Sequence, residues 1–353
     1  MSIAKWSVSK IDAANYCKMR YYLKYIDPNR PKPARLSAYV KGSLLHESIE
    51  NLWKKNGTPE ESNKKKNGKR YYDAESFAKY IQGKWTSIII ADEKAKEKIE
   101  WSNENEKWFI RSQLESICKG LYSSLINEGP PIYSEIPFSF VVKKWNLNGR
   151  IDEIRKKDGK IIIRDYKSGR PWMGEMKLDY SPQLTLYNIA VGAICFGNEE
   201  FARKLSMGEK RKRFMGNPIW ANQDFQLELY MTDSFYIPKD AKTTAANPIH
   251  KTIRKNEHFF MLLKMIEETE YAVQKGNISP DWGRKCDSCD MKHPCKGTLD
   301  NINKPYLEKK TGQRFFDFAI PSFLKSNPPP VQEEQLKLRL RKRFVAKKLK
   351  SID

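Results

Sequence analysis

Two rhythms of apolar and polar positions divide the chain. From residue 132 the stretch IYSEIPFSFVV reads as a strand, and LNGRIDEIRK (147 to 156) and KIIIRDYK (160 to 167) follow as two more. Asp158-Gly159 is a two-residue turn of the kind that matches strand twist, so it closes the last two strands into a hairpin. Its register sets Ile154 opposite Ile163, Glu153 opposite Arg164, Asp152 opposite Asp165 and Arg150 opposite Lys167. Helical spacing governs elsewhere. Residues 1 to 27 read as helix, with Cys17 inside YCKMRYYLKYI. GSLLHESIENLWKK carries an apolar stripe of Leu45, Ile49, Leu52 and Trp53, and residues 73 to 127 form a helical insertion holding Trp85, Trp101 and Trp108. Ser181 followed by Pro182 is a start signal for the helix QLTLYNIAVGAI. FQLELYMTDSFYI reads as strand and residues 251 to 275 as a long amphipathic helix. No internal repeat is present.

The polar stretches set the boundaries. DPNRPKPARL is a Pro-rich connector, GTPEESNKKKNGKR (57 to 70) a charged loop, and residues 197 to 218 a basic excursion. The expected plan is one domain over residues 1–300, a linker and extension over 301–330, and a basic amphipathic helix over 331–353.

Charge changes the picture. Lys and Arg outnumber Asp and Glu by 65 to 43, a net +22, which points to a polyanionic partner, most simply nucleic acid. A Lys-rich, well-solvated surface is the alternative. Aromatics at 12% argue against disorder over most of the length. The start has no apolar core or small-residue cleavage site, and no apolar run approaches a membrane span, so the expected location is cytoplasmic. No GxxxxGK[ST] loop occurs, which excludes a recognisable ATP motor.

Three sets of residues bear on chemistry. Asp165 and Lys167 point to one side of their strand, Arg164 and Tyr166 to the other. Glu153 against Arg164 is a favourable cross-strand pair, but Asp152 against Asp165 is repulsive. A divalent cation between the two acids turns that cost into a binding site; the alternative is two exposed acids on a solvated face. Gln183 and Tyr187, four apart, share one helix face. Cys286, Cys289 and Cys295 form C-x2-C-x5-C while Cys17 stands alone, and clustered thiols in a reducing compartment more often mean metal than disulfides. Zinc modules usually show two paired knuckles, which this arrangement fits poorly, although His293 keeps zinc open. Cys118 and Cys195 sit in apolar helical surroundings as core thiols.

The ordered set resembles the PD-(D/E)XK nuclease superfamily, specifically its iron–sulfur RecB-type branch, which includes AddB nuclease domains and CRISPR adaptation exonucleases. The motifs carrying the resemblance are the Cys17 helix, GSLLHE with His46, GRID with Asp152, DYKSG with Asp165 and Lys167, QLTLY with Gln183 and Tyr187, and CDSCDMKHPC. They cover residues 1 to 55 and 131 to 297; Lys18 stands where the family commonly has proline after its first cysteine. The resemblance implies an α/β fold, a central mixed sheet flanked by helices with a helical insertion, its two ends joined at a [4Fe–4S] cluster on Cys17, Cys286, Cys289 and Cys295. It also implies Mg²⁺ or Mn²⁺ on His46, Asp152, Asp165 and the Tyr166 carbonyl, with Glu135 as an orienting or second ligand. Lys167 would hold the attacking water or stabilise phosphate charge, and Gln183 and Tyr187 would orient Lys167 or touch the strand. The implied function is exonucleolytic cleavage of single-stranded or unwound DNA in repair, recombination or CRISPR adaptation, beside a helicase or adaptation-complex protein. Two alternatives stand: a DNA-binding subunit with a silent or partner-dependent nuclease, and an RNA-cleaving or endonucleolytic relative.

Overall fold

The structure, a computed structural model, describes residues 4–56, 73–169, 178–207, 225–236, 247–281 and 283–298. The loop expected at 57–70, the far part of the basic excursion, the linker and the tail helix lie outside the described residues. The chain divides into two compact units, Met1–Lys296 and Gly297–Asp353.

The elements of the first unit run β1 (Ala4–Ser7), α1 (Val8–Tyr16), α2 (Lys18–Tyr25), β2 (Arg35–Leu36), α3 (Ser37–Asn56), α4 (Ala74–Lys94), β3 (Ile99–Glu100), α5 (Glu106–Glu128), β4 (Tyr133–Val142), β5 (Trp145–Lys157), β6 (Lys160–Lys167), α6 (Pro182–Gly197), α7 (Glu199–Lys204), β7 (Phe225–Met231), β8 (Ile249–Thr252) and α8 (Asn256–Gln274). The main sheet is mixed, in the order β1-β5-β6-β7-β8 with β4 also on β5. β4 and β6 are antiparallel to β5, β8 is antiparallel to β7, and β1 on β5 and β7 on β6 are parallel. One core gathers residues of α1, α6, α7 and α8 against the strands; a second gathers α3, α4 and α5 around Tyr166 and Tyr230. This is the expected α/β sheet flanked by helices, and the helical patterning of residues 73 to 127 is the α4–α5 pair.

Local chemistry explains the elements that were legible. Asp158 and Gly159 both take positive φ, 51° and 73°, as a two-residue hairpin turn of this hand requires. Ser181 caps α6 by accepting from the Leu184 amide at 3.4 Å, and Pro182 follows it. Leu45, Ile49 and Leu52 are buried on α3. Three expectations need correction. Residues 4–7 are a strand, because Trp6 pairs in register with Leu147 of β5 and is buried there. The helix at the carboxyl side starts only at Asn256, after the short strand β8. FQLELYMTDSFYI is strand only to Met231, and Thr232–Phe235 turns into a 3-10 helix. No described helix is long and apolar enough to cross a membrane.

Candidate active site

The hairpin register matches expectation from Lys157 opposite Lys160 up to Glu153 opposite Arg164, and there the pairing ends. Asp152 and Asp165 are therefore not a ladder pair. Instead the Asp152 carboxylate accepts the Tyr166 amide at 2.9 Å, a side-chain bond where the ladder leaves off. On the other edge of β5, the registered pairs on either side of Asp152 are Glu153 with Ser134 and Ile151 with Ile136, so Glu135 of β4 stands across from it. Glu135 holds φ at +53°, a left-handed conformation that is costly for a residue with a Cβ and is found most at functional sites. Ligand atoms of His46, Glu135 and Asp152 lie within 4.8 Å of one another. His46 Nδ1 is 3.4 Å from Asp152 Oδ2. It comes from α3, which passes so close to the DYKSG corner that a Cβ on Gly42 would meet Ser168 Oγ at 2.7 Å.

Asp165 belongs to a second, adjoining set. It is fully buried, and its Oδ1 accepts from Gln183 Nε2 at 2.7 Å and from Lys167 Nζ at 3.2 Å. Lys167 Nζ also donates to Gln183 Oε1 at 2.8 Å, and Gln183 Nε2 donates to Tyr187 at 2.8 Å, as their shared helix face requires. Asp165 Oδ2 lies 2.8 Å from Lys167 Nζ yet receives no directed hydrogen bond, although solvent does not reach it.

Burial, then the charge of Asp165, hold the Asp152 carboxyl well above its ordinary range, against the pull of Lys167 and the Tyr166 amide. For Lys167 burial acts downward, but the charges of Asp165 and Asp152 outweigh it and raise its pKa. Lys167 stays a cation. Burial lowers the His46 pKa, with Asp165 opposing, which favours a neutral imidazole. Asp12 of α1 also senses this site: burial pushes it up to about 6, with Lys167 opposing and Asp165 adding. No spacing in the sequence marks Asp12.

The sequence pattern of the PD-(D/E)XK nuclease superfamily matches residues 5–296. The chain belongs to the PD-(D/E)XK nuclease superfamily. No curated protein matches the chain. Among solved structures, SSO0001 is 15% identical, covering 62% of this chain and 79% of its own, with a TM-score of 0.29. A Eubacterium rectale protein named "Putative exonuclease" is 14% identical, covering 82% and 86%, with a TM-score of 0.37. Both scores are low, and the superfamily match alone carries the assignment.

PD-(D/E)XK nucleases hydrolyse phosphodiesters and use Mg²⁺ or Mn²⁺. The donor set here fits such a cation. Two carboxylates and an imidazole converge, Asp152 is half-buried and feels the charge of Asp165, and Asp165 keeps an oxygen without a directed partner. Behind the sheet a buried ion network supports these strands. Arg164 pairs with Glu228 at 2.7 Å, Glu128 at 2.6 Å and Glu153 at 3.6 Å, and lies 4.5 Å over the Tyr230 ring. Glu153 also holds Arg155 and accepts the Tyr166 hydroxyl at 2.6 Å. Only the Glu153–Arg164 pair was legible from alternation.

Cys118 and Cys195 are buried among apolar residues; burial raises both thiol pKa values, Cys195 to about 12. Cys17, Cys289 and Cys295 pack around Met19, Leu23 and Met291. Cys17 sits at an extended break between α1 and α2, and its sulfur accepts the Asp281 amide at 3.4 Å. Burial, then the charges of Cys17, Cys289 and Cys286, raise the Cys295 thiol to about 11.

Proposed function

We propose that this PD-(D/E)XK protein is a metal-dependent exonuclease acting on single-stranded or unwound DNA ends, in recombination, repair or CRISPR adaptation. The observation that carries this reading is Lys167, held as a cation at 2.8 Å from both Asp165 and Gln183 beside the His46–Glu135–Asp152 group. In this assignment His46, Asp152, Asp165 and the Tyr166 carbonyl would hold Mg²⁺ or Mn²⁺, with Glu135 as an orienting or second ligand. When bound, the cation supplies Lewis-acid polarisation of the phosphate and a lowered water pKa. Lys167 stabilises charge on the phosphate oxygens or holds the attacking water, and its proton stays on Nζ because two carboxylates face it. Gln183 fixes Lys167 and Asp165 in one orientation, and Tyr187 fixes Gln183. The net +22 supports tracking of a polyanionic strand, with a helicase or adaptation-complex protein delivering unwound ends.

We also assign Cys17, Cys286, Cys289 and Cys295 to a structural [4Fe–4S] cluster. The support is the lone-plus-three arrangement of the cysteines, which fits the two paired knuckles of a zinc module poorly, and the packing of Cys17, Cys289 and Cys295 around one apolar cluster.

The test uses purified protein with Mn²⁺ on single strands labelled at either the 5′ or the 3′ end, with Asp165→Ala as control. Stepwise release from one end, lost in Asp165→Ala, is expected, because Asp165 acts on the reaction and not on strand binding. Internal cuts would make it an endonuclease, and cleavage of RNA alone would reassign the substrate. Tight strand binding without turnover would make it a DNA-binding subunit. Turnover retained in Asp165→Ala would remove the assigned site.

A further inference from the structure

Arg254, between β8 and α8, is fully buried. Its Nε donates to Thr185 Oγ1 at 2.8 Å, Nη1 to Thr252 Oγ1 at 3.1 Å and the Ile253 carbonyl at 3.0 Å, and Nη2 to the Leu178 and Ser181 carbonyls at 2.8 and 3.3 Å. All five of its donors are used, every one on a neutral oxygen. A guanidinium buried with no carboxylate in contact is costly, and burial brings its pKa down to about 10 with only Asp179 opposing. Its position adds to the cost, since a helix amino end repels a cation. Arg254 sits at that end of α6: Ser181 is the cap residue, and its carbonyl also accepts the Thr185 amide at 3.1 Å. Packing alone would be met by an apolar side chain of similar volume.

The fork joins three pieces, namely the end of β8, the segment entering α6 and the first turn of α6. Gln183 lies in that first turn and spans to Lys167 and Asp165. We propose that Arg254 is a positioning residue of the nuclease site, fixing the amino end of α6 so that Gln183 meets both Lys167 and Asp165. This role rests on the nuclease reading above, with Gln183 as the part through which Arg254 acts.

The experiment is a double-mutant cycle. Arg254→Lys keeps the charge but cannot reach both sides of the junction. It should lower kcat by about 10- to 100-fold with KM for single-stranded DNA little changed, because a small misplacement of the catalytic group costs rate rather than strand binding. In a Gln183→Ala background the same change should cost less than about twofold, since residues acting through one another are not additive. Independent, multiplicative losses would overturn the proposal. Thr252→Val removes one acceptor of Arg254 and reads the same cycle if Arg254→Lys does not fold. A second readout needs no turnover: the Gln183 side-chain amide resonance, assigned by its absence in Gln183→Ala, should shift in Arg254→Lys and in Thr252→Val. An unshifted resonance in folded variants would also overturn the role. Wild-type protein without turnover would sink the nuclease reading alone, and the resonance would still decide the positioning.

Discussion

Tyr166 stands between the two carboxylate systems of this protein. Its amide is held by Asp152, and its hydroxyl by Glu153 on the far side of the sheet, inside the network of Arg155 and Arg164. The residue is 2% exposed, so water cannot replace a lost bond. Tyr166→Phe should therefore cost about 1–3 kcal/mol, the scale of a buried charged acceptor losing a donor. Denaturant unfolding would measure it, and unchanged stability would show that Arg155 and Arg164 satisfy Glu153 unaided. Single-strand affinity should not move, since the hydroxyl faces away from the site. At this scale the sequence was informative where a period fixes direction: Asp165 with Lys167 by strand alternation, Gln183 with Tyr187 by helical spacing. It was weaker where an isolated backbone choice decides. Glu135 reaches the His46–Asp152 group from a residue with φ of +53°, and nothing in SEIPF announces that dihedral. Asp12 and Arg254 were silent for a related reason: Asp12 senses Lys167 and Asp165, and Arg254 ties its own strand end to Leu178, Ser181 and Thr185, all distant in sequence.

The same limit governs elements. β1 has four residues, and its pairing partner starts at Trp145, so no local pattern distinguishes it from the helix that follows. What holds it is Glu270 of α8. That carboxylate accepts Trp6 Nε1 at 3.0 Å and Trp145 Nε1 at 2.9 Å, and pairs with Lys144 at 3.0 Å. Trp6 in turn stacks on Tyr21 of α2 at 5.0 Å. Burial acts to raise the Glu270 pKa, but the two indoles and Lys144 outweigh it and hold it below 4.5. Just below that value the unfolded chain binds more protons than the folded one, so stability rises with pH through the window. The contribution is complete above 4.5 and is lost as pH falls through the lower folded value. Glu270→Gln should be less stable than wild type near pH 7, and the difference should shrink on acidification below 4.5. Urea unfolding across that range checks this. Curves that stay parallel at every pH would mean that Glu270 acts through shape rather than charge.

At the scale of the whole molecule, the chain closes on itself. The family resemblance implied that its start and the 286–295 loop meet, and Cys17, Cys289 and Cys295 pack against one apolar cluster. The cysteines did not disclose a brace of ordinary ion pairs beside them. Asp290 is 2% exposed and binds Arg20 at 2.6 Å and Lys24 at 2.8 Å, both on α2, while its carbonyl accepts the Ala34 amide at 2.7 Å. Tyr16 and Lys285 exchange two further bonds across the same junction, hydroxyl to carbonyl and ammonium to carbonyl. The ion-pair brace joins segments more than 260 residues apart in the folded chain, and the proposed cluster would join the same segments through metal. They should fail separately. Cys289→Ala should lose iron and, with it, the stability that metal binding contributes. Asp290→Ala should keep iron yet lose about 3–5 kcal/mol, because Arg20 is left partly buried without its partner. Iron and zinc analysis of anaerobically purified protein, paired with unfolding of both variants, decides between them. Stoichiometric zinc without iron would overturn the cluster and leave the brace standing. Wild-type stability in Asp290→Ala would remove the Asp290 brace and leave the Tyr16–Lys285 bonds and the proposed cluster to join the two ends.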